Sequence, residues 1–149
     1  MSAALSVYKV LGLPRTRSKP SRLHLAQEIE SGLPVSTLEA VAAQIAPDDR
    51  AFRFQFVRPA TYARRLQTAA GNKHKARLST DESERVVRAA RVWERAMAVW
   101  QSAEAARAFL HRPHMLLGHR PPIEVVIRTD EGARVVEEIL GKLQYGTAA

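Results

Sequence analysis

The chain has 149 residues, 46% of them hydrophobic, and a formal charge of +8, which fits one or two small domains with a true core and excludes a wholly disordered polymer. It has no cysteine, so a thiolate nucleophile, a cysteine-based zinc site and a disulfide framework are all ruled out. The charge is unevenly placed: residues 1–80 hold 13 Lys/Arg against 5 Asp/Glu, whereas residues 81–149 hold 10 of each. A basic half meets an anion, most often nucleic acid, and the neutral half has another task.

Residues 1–20 are read as a flexible arm. The segment Met1 to Pro14 is mildly apolar but carries Lys9 and lacks a leading cationic region, which makes it a poor signal peptide, and Pro14 to Pro20 is a polar cationic linker. No apolar run is long enough to cross a bilayer, so the expectation is a soluble cytoplasmic protein with no membrane partner. The spacing predicts a helix over Ser21 to Glu30, ended by Gly32 and Pro34. A second opens at Ser36, where Ser36 and Glu39 have capping-box spacing, and runs through Leu38, Val41 and Ile45. From Asp48 to Ala69 two short helices are predicted, separated by Val57-Arg58 ahead of Pro59, which is helix-turn-helix spacing. The second of them, with Arg58, Thr61, Tyr62, Arg64 and Arg65, presents side chains of the kind that contact phosphates and base edges, and these five are the candidate DNA-binding residues. Gly71 to Arg77 reads as a flexible basic connector, placing a domain boundary between residues 77 and 78.

A long helix from about Thr80 to Trp100 follows, with Ser79 and Glu82 as a capping box. Its apolar stripe is Val86, Ala89, Ala90, Trp93, Met97 and Trp100, with Arg85, Arg88, Arg91 and Arg95 largely away from it. Ser102 caps a helix to His111, closed by Pro113; a short piece through Leu116 and Leu117 leads to Gly118, and Pro122 opens another helix. Thr129 caps the last one, with Asp130 and Glu131 in the first turn where the helix dipole favours anions, and Val135, Val136, Ile139, Leu140 and Leu143 on its buried face. No alternating strand pattern is present, so the fold class is all-α: a helix-turn-helix-like region over 21–77 and a small helical bundle over 78–149.

The residues offer little for catalysis. His111, His114 and His119 lie in one loop but have no carboxylate or cysteine to complete a metal set, so no metal is assigned. Glu82 and Glu84 point in different directions on a helix and cannot share an acid-base site. No phosphate-cradling glycine loop occurs, and no cofactor is implied.

From Asp81 the chain reads Glu82-Ser83-Glu84-Arg85-Val86-Val87-Arg88-Ala89-Ala90-Arg91-Val92, then Glu104-Ala105-Ala106-Arg107-Ala108-Phe109-Leu110, Leu117-Gly118-His119-Arg120-Pro121-Pro122, Thr129-Asp130-Glu131-Gly132 and Tyr145-Gly146. In this order, from about Leu78 to Gly146, these pieces resemble the toxin-binding domain of the Xre/MbcA/ParS antitoxins. Ile29-Glu30-Ser31-Gly32-Leu33-Pro34 and Thr61-Tyr62-Ala63-Arg64-Arg65 extend the resemblance back to about Leu25. It implies a non-enzymatic antitoxin that dimerises through its N-terminal region and occludes a RES-domain toxin, one that consumes NAD or transfers ADP-ribose from it. One departure stands out: Phe52-Arg53-Phe54-Gln55-Phe56 fills the first helix of the helix-turn-helix, with Phe56 where a residue tolerant of a left-handed turn is usual. That weakens the case for sequence-specific operator reading. For the toxin-binding surface the candidates are Lys142, the one cation among the last fifteen residues, with Leu143, Tyr145, Gly146 and, near the Gly118 turn, Arg120. A DNA-binding repressor acting through the basic half is the alternative main activity.

Overall fold

The computed structural model describes residues 3–14 and 21–146. Its helices are α1 (Ala3–Leu11), α2 (Arg22–Ser31), α3 (Val35–Ile45), α4 (Pro59–Thr68), α5 (Thr80–Trp100), α6 (Ala103–His111), α7 (Pro122–Arg128) and α8 (Asp130–Gln144), with 3-10 turns at Arg50–Gln55 and Met115–Leu117. Among the described residues the only extended pairings are two isolated bridges, so the all-α reading holds. The chain divides into two compact units, Met1–Val87 and Arg88–Ala149. The division falls inside α5 rather than at the connector before it, because that connector is built into the first unit.

Local signals set most helix starts. Ser21 accepts from the His24 amide at 3.0 Å, Ser102 from Ala105 at 3.2 Å and Thr129 from Gly132 at 2.9 Å. In each case a hydroxyl satisfies an amide that the first helical turn leaves without a partner. Pro59 and Pro122 occupy the first helical positions, where the missing N–H costs nothing.

The leading segment differs from the expected loose arm. Over residues 3–14 the chain forms α1 and its exit, with Val7, Tyr8 and Leu11 buried. Gln44 of α3 donates to the Val10 and Ala40 carbonyls at 2.8 and 2.9 Å, fastening the end of α1 to α3. Tyr8 stacks on His24 of α2 with ring centroids 6.1 Å apart. Burial and the facing Glu28 push its hydroxyl up to about 12. The linker from Arg15 to Pro20 lies outside the described residues.

The capping box expected at Ser36 is not formed. Helix α3 begins one residue earlier with Pro34 at its cap, and the freed amides of Val35 and Ser36 donate to the Ala76 and Lys73 carbonyls at 2.8 and 2.9 Å. Leu78 donates to the Leu33 carbonyl at 2.8 Å, and Pro34 pairs with Arg77. The connector expected to be flexible is thereby held along Leu33 to Ser36. Gly32 sits at φ +89, and a Cβ there would lie 2.2 Å from the Leu78 carbonyl oxygen, so this crossing requires glycine.

Three further ties fix the start of α5. Ser79 and Glu82 form the predicted box: the Ser79 amide donates to the carboxylate at 2.7 Å and the Glu82 amide to the Ser79 hydroxyl at 3.1 Å. Arg65 of α4 donates to the same Glu82 carboxylate. Ser83, fully buried, accepts from the Leu33 amide at 2.9 Å.

Phe52 and Phe56 pack edge to face in the first unit's core at 5.5 Å. Phe56 has φ −98, so the turn needs no left-handed residue and the departure from the family pattern is accommodated by a 3-10 turn.

In the second unit Val92, Trp93, Ala96, Ala106, Leu110, Ile123, Val126, Ala133, Val136 and Leu140 are buried. Helix α8 approaches α7 so closely that a Cβ on Gly132 would lie 2.3 Å from the Val125 carbonyl oxygen. Arg88 turns inward, donating to the Val126 and Ile127 carbonyls at 3.1 and 2.7 Å and satisfying the end of α7. Trp100, expected in the stripe, is 39% exposed and rests on Phe109, because the last turn of α5 runs beyond the packed core.

Two outcomes follow for stability. Ser83→Ala leaves the Leu33 amide buried without an acceptor and lowers the unfolding free energy in urea by about 1–3 kcal/mol. For Glu82, burial opposes the charge, but the bonds from Arg65 and Ser79 outweigh it and hold the carboxyl below its usual range. Its stabilising effect is present above the unfolded carboxyl pKa and is lost as pH falls through the lowered folded value. Glu82→Gln therefore lowers Tm at neutral pH, and the gap between the two proteins closes on acidification; a gap that persists at pH 2 contradicts this assignment.

Candidate functional site

The first unit presents a cationic concavity of about 490 Å³ beside α4. Arg58, Thr61, Arg64, Arg65 and Arg85 line it together with Phe54, Gln55 and Glu82. Arg58 and Arg64 are exposed. Four guanidinium groups against a single carboxylate make a surface that attracts an anion. The other two candidates read from sequence are committed within the chain. Arg65 is ion-paired with Glu82, at side-chain exposures of 25% and 12%. Tyr62 donates to Glu39 at 2.6 Å, and Arg53 reaches both the Tyr62 hydroxyl, at 3.3 Å, and Glu39, at 2.9 Å. Lys73 completes the cluster 3.7 Å from the second Glu39 oxygen. Burial and the Glu39 carboxylate raise the Tyr62 hydroxyl above its ordinary value, as befits a donor locked onto an anion. Tyr62 and Glu39 thus join α4, the 3-10 turn and α3.

Arg85 is the member that sequence reasoning missed. It donates to the Phe56 carbonyl at 3.3 Å, which turns it toward α4 although the stripe pattern groups it with the outward arginines of α5. Its one legible signal is the three-residue spacing from Glu82 on the helix, which places both over the same turn.

In the second unit, Lys142, Leu143, Tyr145 and Gly146 share the last turn of α8 and its exit. Leu143 is 40% exposed and Tyr145 78%. The Tyr145 amide closes on the Gly141 carbonyl at 3.1 Å, and Gly146 follows at φ +68. Leu143, expected on the buried face, is outside the core. Arg120 belongs to a different segment, the turn after α6, where its carbonyl accepts from the His114 amide at 3.1 Å. That same turn exposes Met115 and Leu116, a pair that reads in sequence only as a lead-in to Gly118. His114 Nδ1 accepts from the Leu116 amide at 3.1 Å, and among the described residues no three potential ligands gather as a metal site.

Comparison with known proteins divides the chain much as the contacts do. Residues 24–91 match the antitoxin Xre-like helix-turn-helix domain. Residues 95–146 match the antitoxin Xre/MbcA/ParS C-terminal toxin-binding domain. The chain is also similar to Antitoxin Xre of Yersinia enterocolitica (serotype O:8 / biotype 1B), 25% identical over 143 residues that span 95% of this chain and 89% of the relative. With a helix-turn-helix region in its first unit and a toxin-binding region within its second, the chain belongs to the Xre/MbcA/ParS family of antitoxins.

Proposed function

We propose that this antitoxin neutralises a RES-domain toxin that consumes NAD or transfers ADP-ribose from it, by binding the toxin directly and covering its active site. The observation that carries the reading is the coincidence of the toxin-binding match, residues 95–146, with a unit whose final helix ends in exposed apolar side chains. Leu143 and Tyr145 are anchors of the kind that dominate interfaces, and Lys142 beside them carries a charge suited to a pocket that holds nucleotide phosphates. The chain itself performs no reaction, and its place of action is the cytoplasm. A homodimer within a larger complex with toxin is the expected assembly.

A second reading is compatible with the first: the cationic concavity of the first unit contacts operator DNA, and the antitoxin represses its own operon. Arg58, Thr61, Arg64 and Arg85 would make the phosphate contacts, with Arg65 and Tyr62 supporting α4 from behind.

Co-expression with a gene for the proposed RES-domain partner tests the main proposal. Cells survive and the two proteins co-purify if it is right; death of the cells with no complex formed refutes it. Tyr145→Ala weakens the complex at least tenfold by calorimetric titration while leaving Tm unchanged, and Lys142→Glu weakens it at least as much. On the DNA side, Arg58→Ala and Arg64→Ala each lower the slope of log affinity against log salt by about one, and an unchanged slope removes that contact from the interface.

A further inference from the structure

The second unit has another exposed surface besides the end of α8. Trp100, Ala105, Ala108, Phe109, Pro113 and His114 wall a groove of about 350 Å³ with Arg112 at its edge. Its rings are mutually braced: Trp100 lies 5.9 Å from Phe109, and His114 meets Phe109 edge to face at 6.0 Å. Beyond it stand Met115, 77% exposed, and Leu116, 62% exposed. Adjacent large apolar side chains at that exposure mark an interaction site more often than chance scatter.

The turn that carries them is held in place. His114 donates its amide to the Arg120 carbonyl and accepts from the Leu116, Leu117 and His119 amides, at 3.0–3.1 Å. A preorganised turn loses little freedom on binding. Charge then narrows the occupant. From Ala105 to Ile123 the chain has Arg107, Arg112 and Arg120 with His111, His114 and His119, and no carboxylate; Glu104 and Glu124 flank the stretch. Helix α8, by contrast, carries Asp130, Glu131, Glu137 and Glu138 against Arg134 and Lys142.

We propose that the Trp100–Phe109–His114 groove and the Met115–Leu116 turn form a second docking surface, which receives an acidic segment of the toxin bearing an apolar anchor. The anchor enters the groove, and the acidic groups face Arg112 and Arg120. This rests on the reading of the second unit as toxin-binding but places the contact apart from the α8 end.

The test uses the full chain and the proposed RES-domain partner. Met115→Asp with Leu116→Asp, and separately Arg112→Glu, alter exposed side chains, so Tm stays at the wild-type value. Each raises Kd at least tenfold, and hydroxyl-radical oxidation of Met115 falls when the complex forms. Wild-type Kd for both variants, or unchanged Met115 oxidation in a complex that does form, overturns the surface while leaving the toxin-binding reading intact. If the wild-type chain binds no toxin, that reading fails and takes this one with it. Retained toxin affinity with lost binding to duplex DNA or to phosphatidylserine vesicles also overturns the proposal.

Discussion

The first turn of α5 is the constraint on which the first unit depends. A helix start leaves amides without partners, and here the Glu82 carboxylate meets one of them, the Ser79 amide, while also receiving the Arg65 guanidinium. Beside it the buried Ser83 hydroxyl holds the Leu33 amide, and Thr80 donates to the Glu30 carbonyl at 3.1 Å. One short segment therefore fixes α2, the crossing at Gly32, the connector and α4. The consequence reaches function: with Arg65 committed to Glu82, the cationic concavity is shaped by a residue that itself has no spare charge to offer.

The end of α2 and the start of α3 show the same economy. The Val35 and Ser36 amides at the start of α3 are met by the connector's carbonyls, and the Leu33 amide after α2 by the Ser83 hydroxyl, and that is why residues that look like a linker are structured. Glu39 does for α4 what Glu82 does for α5: it gathers Tyr62, Arg53 and Lys73 around one carboxylate. Part-buried polar groups satisfied in this way define a unique arrangement, so the orientation of α4, which carries Arg58 and Arg64 at its start and middle, is set by bonds made within the first unit.

Features decided within a few residues were legible in the sequence. The caps at Ser79, Ser102 and Thr129, the prolines that open α4 and α7, and the long amphipathic α5 all follow from local hydrogen bonding and periodicity. Features decided by distant partners were not. Helix α1 has weak local signals and is held through Val7, Tyr8 and Leu11; the Ser36 box lost to the Lys73 and Ala76 carbonyls; Arg88 serves the end of α7 from 38 residues away. Of the candidate surface residues, the exposure of Arg58, Arg64, Lys142 and Tyr145 was readable because chain charge and terminal aromatics need no tertiary knowledge. Met115 and Leu116 were not, because an apolar pair in sequence reads as core until its exposure is known.

The two units divide the labour by charge. The excess of cations sits in the first 80 residues, beside a helix-turn-helix, and the remainder is balanced and exposes apolar anchors. Covering a nucleotide pocket, the mode of action proposed above, calls for exposed anchors of this kind. The most direct measurement of the proposed occlusion is the NAD turnover of a purified RES-domain partner as the full chain is titrated in. The account predicts a linear fall to zero at a fixed stoichiometric ratio; a complex that forms while turnover continues unchanged contradicts it.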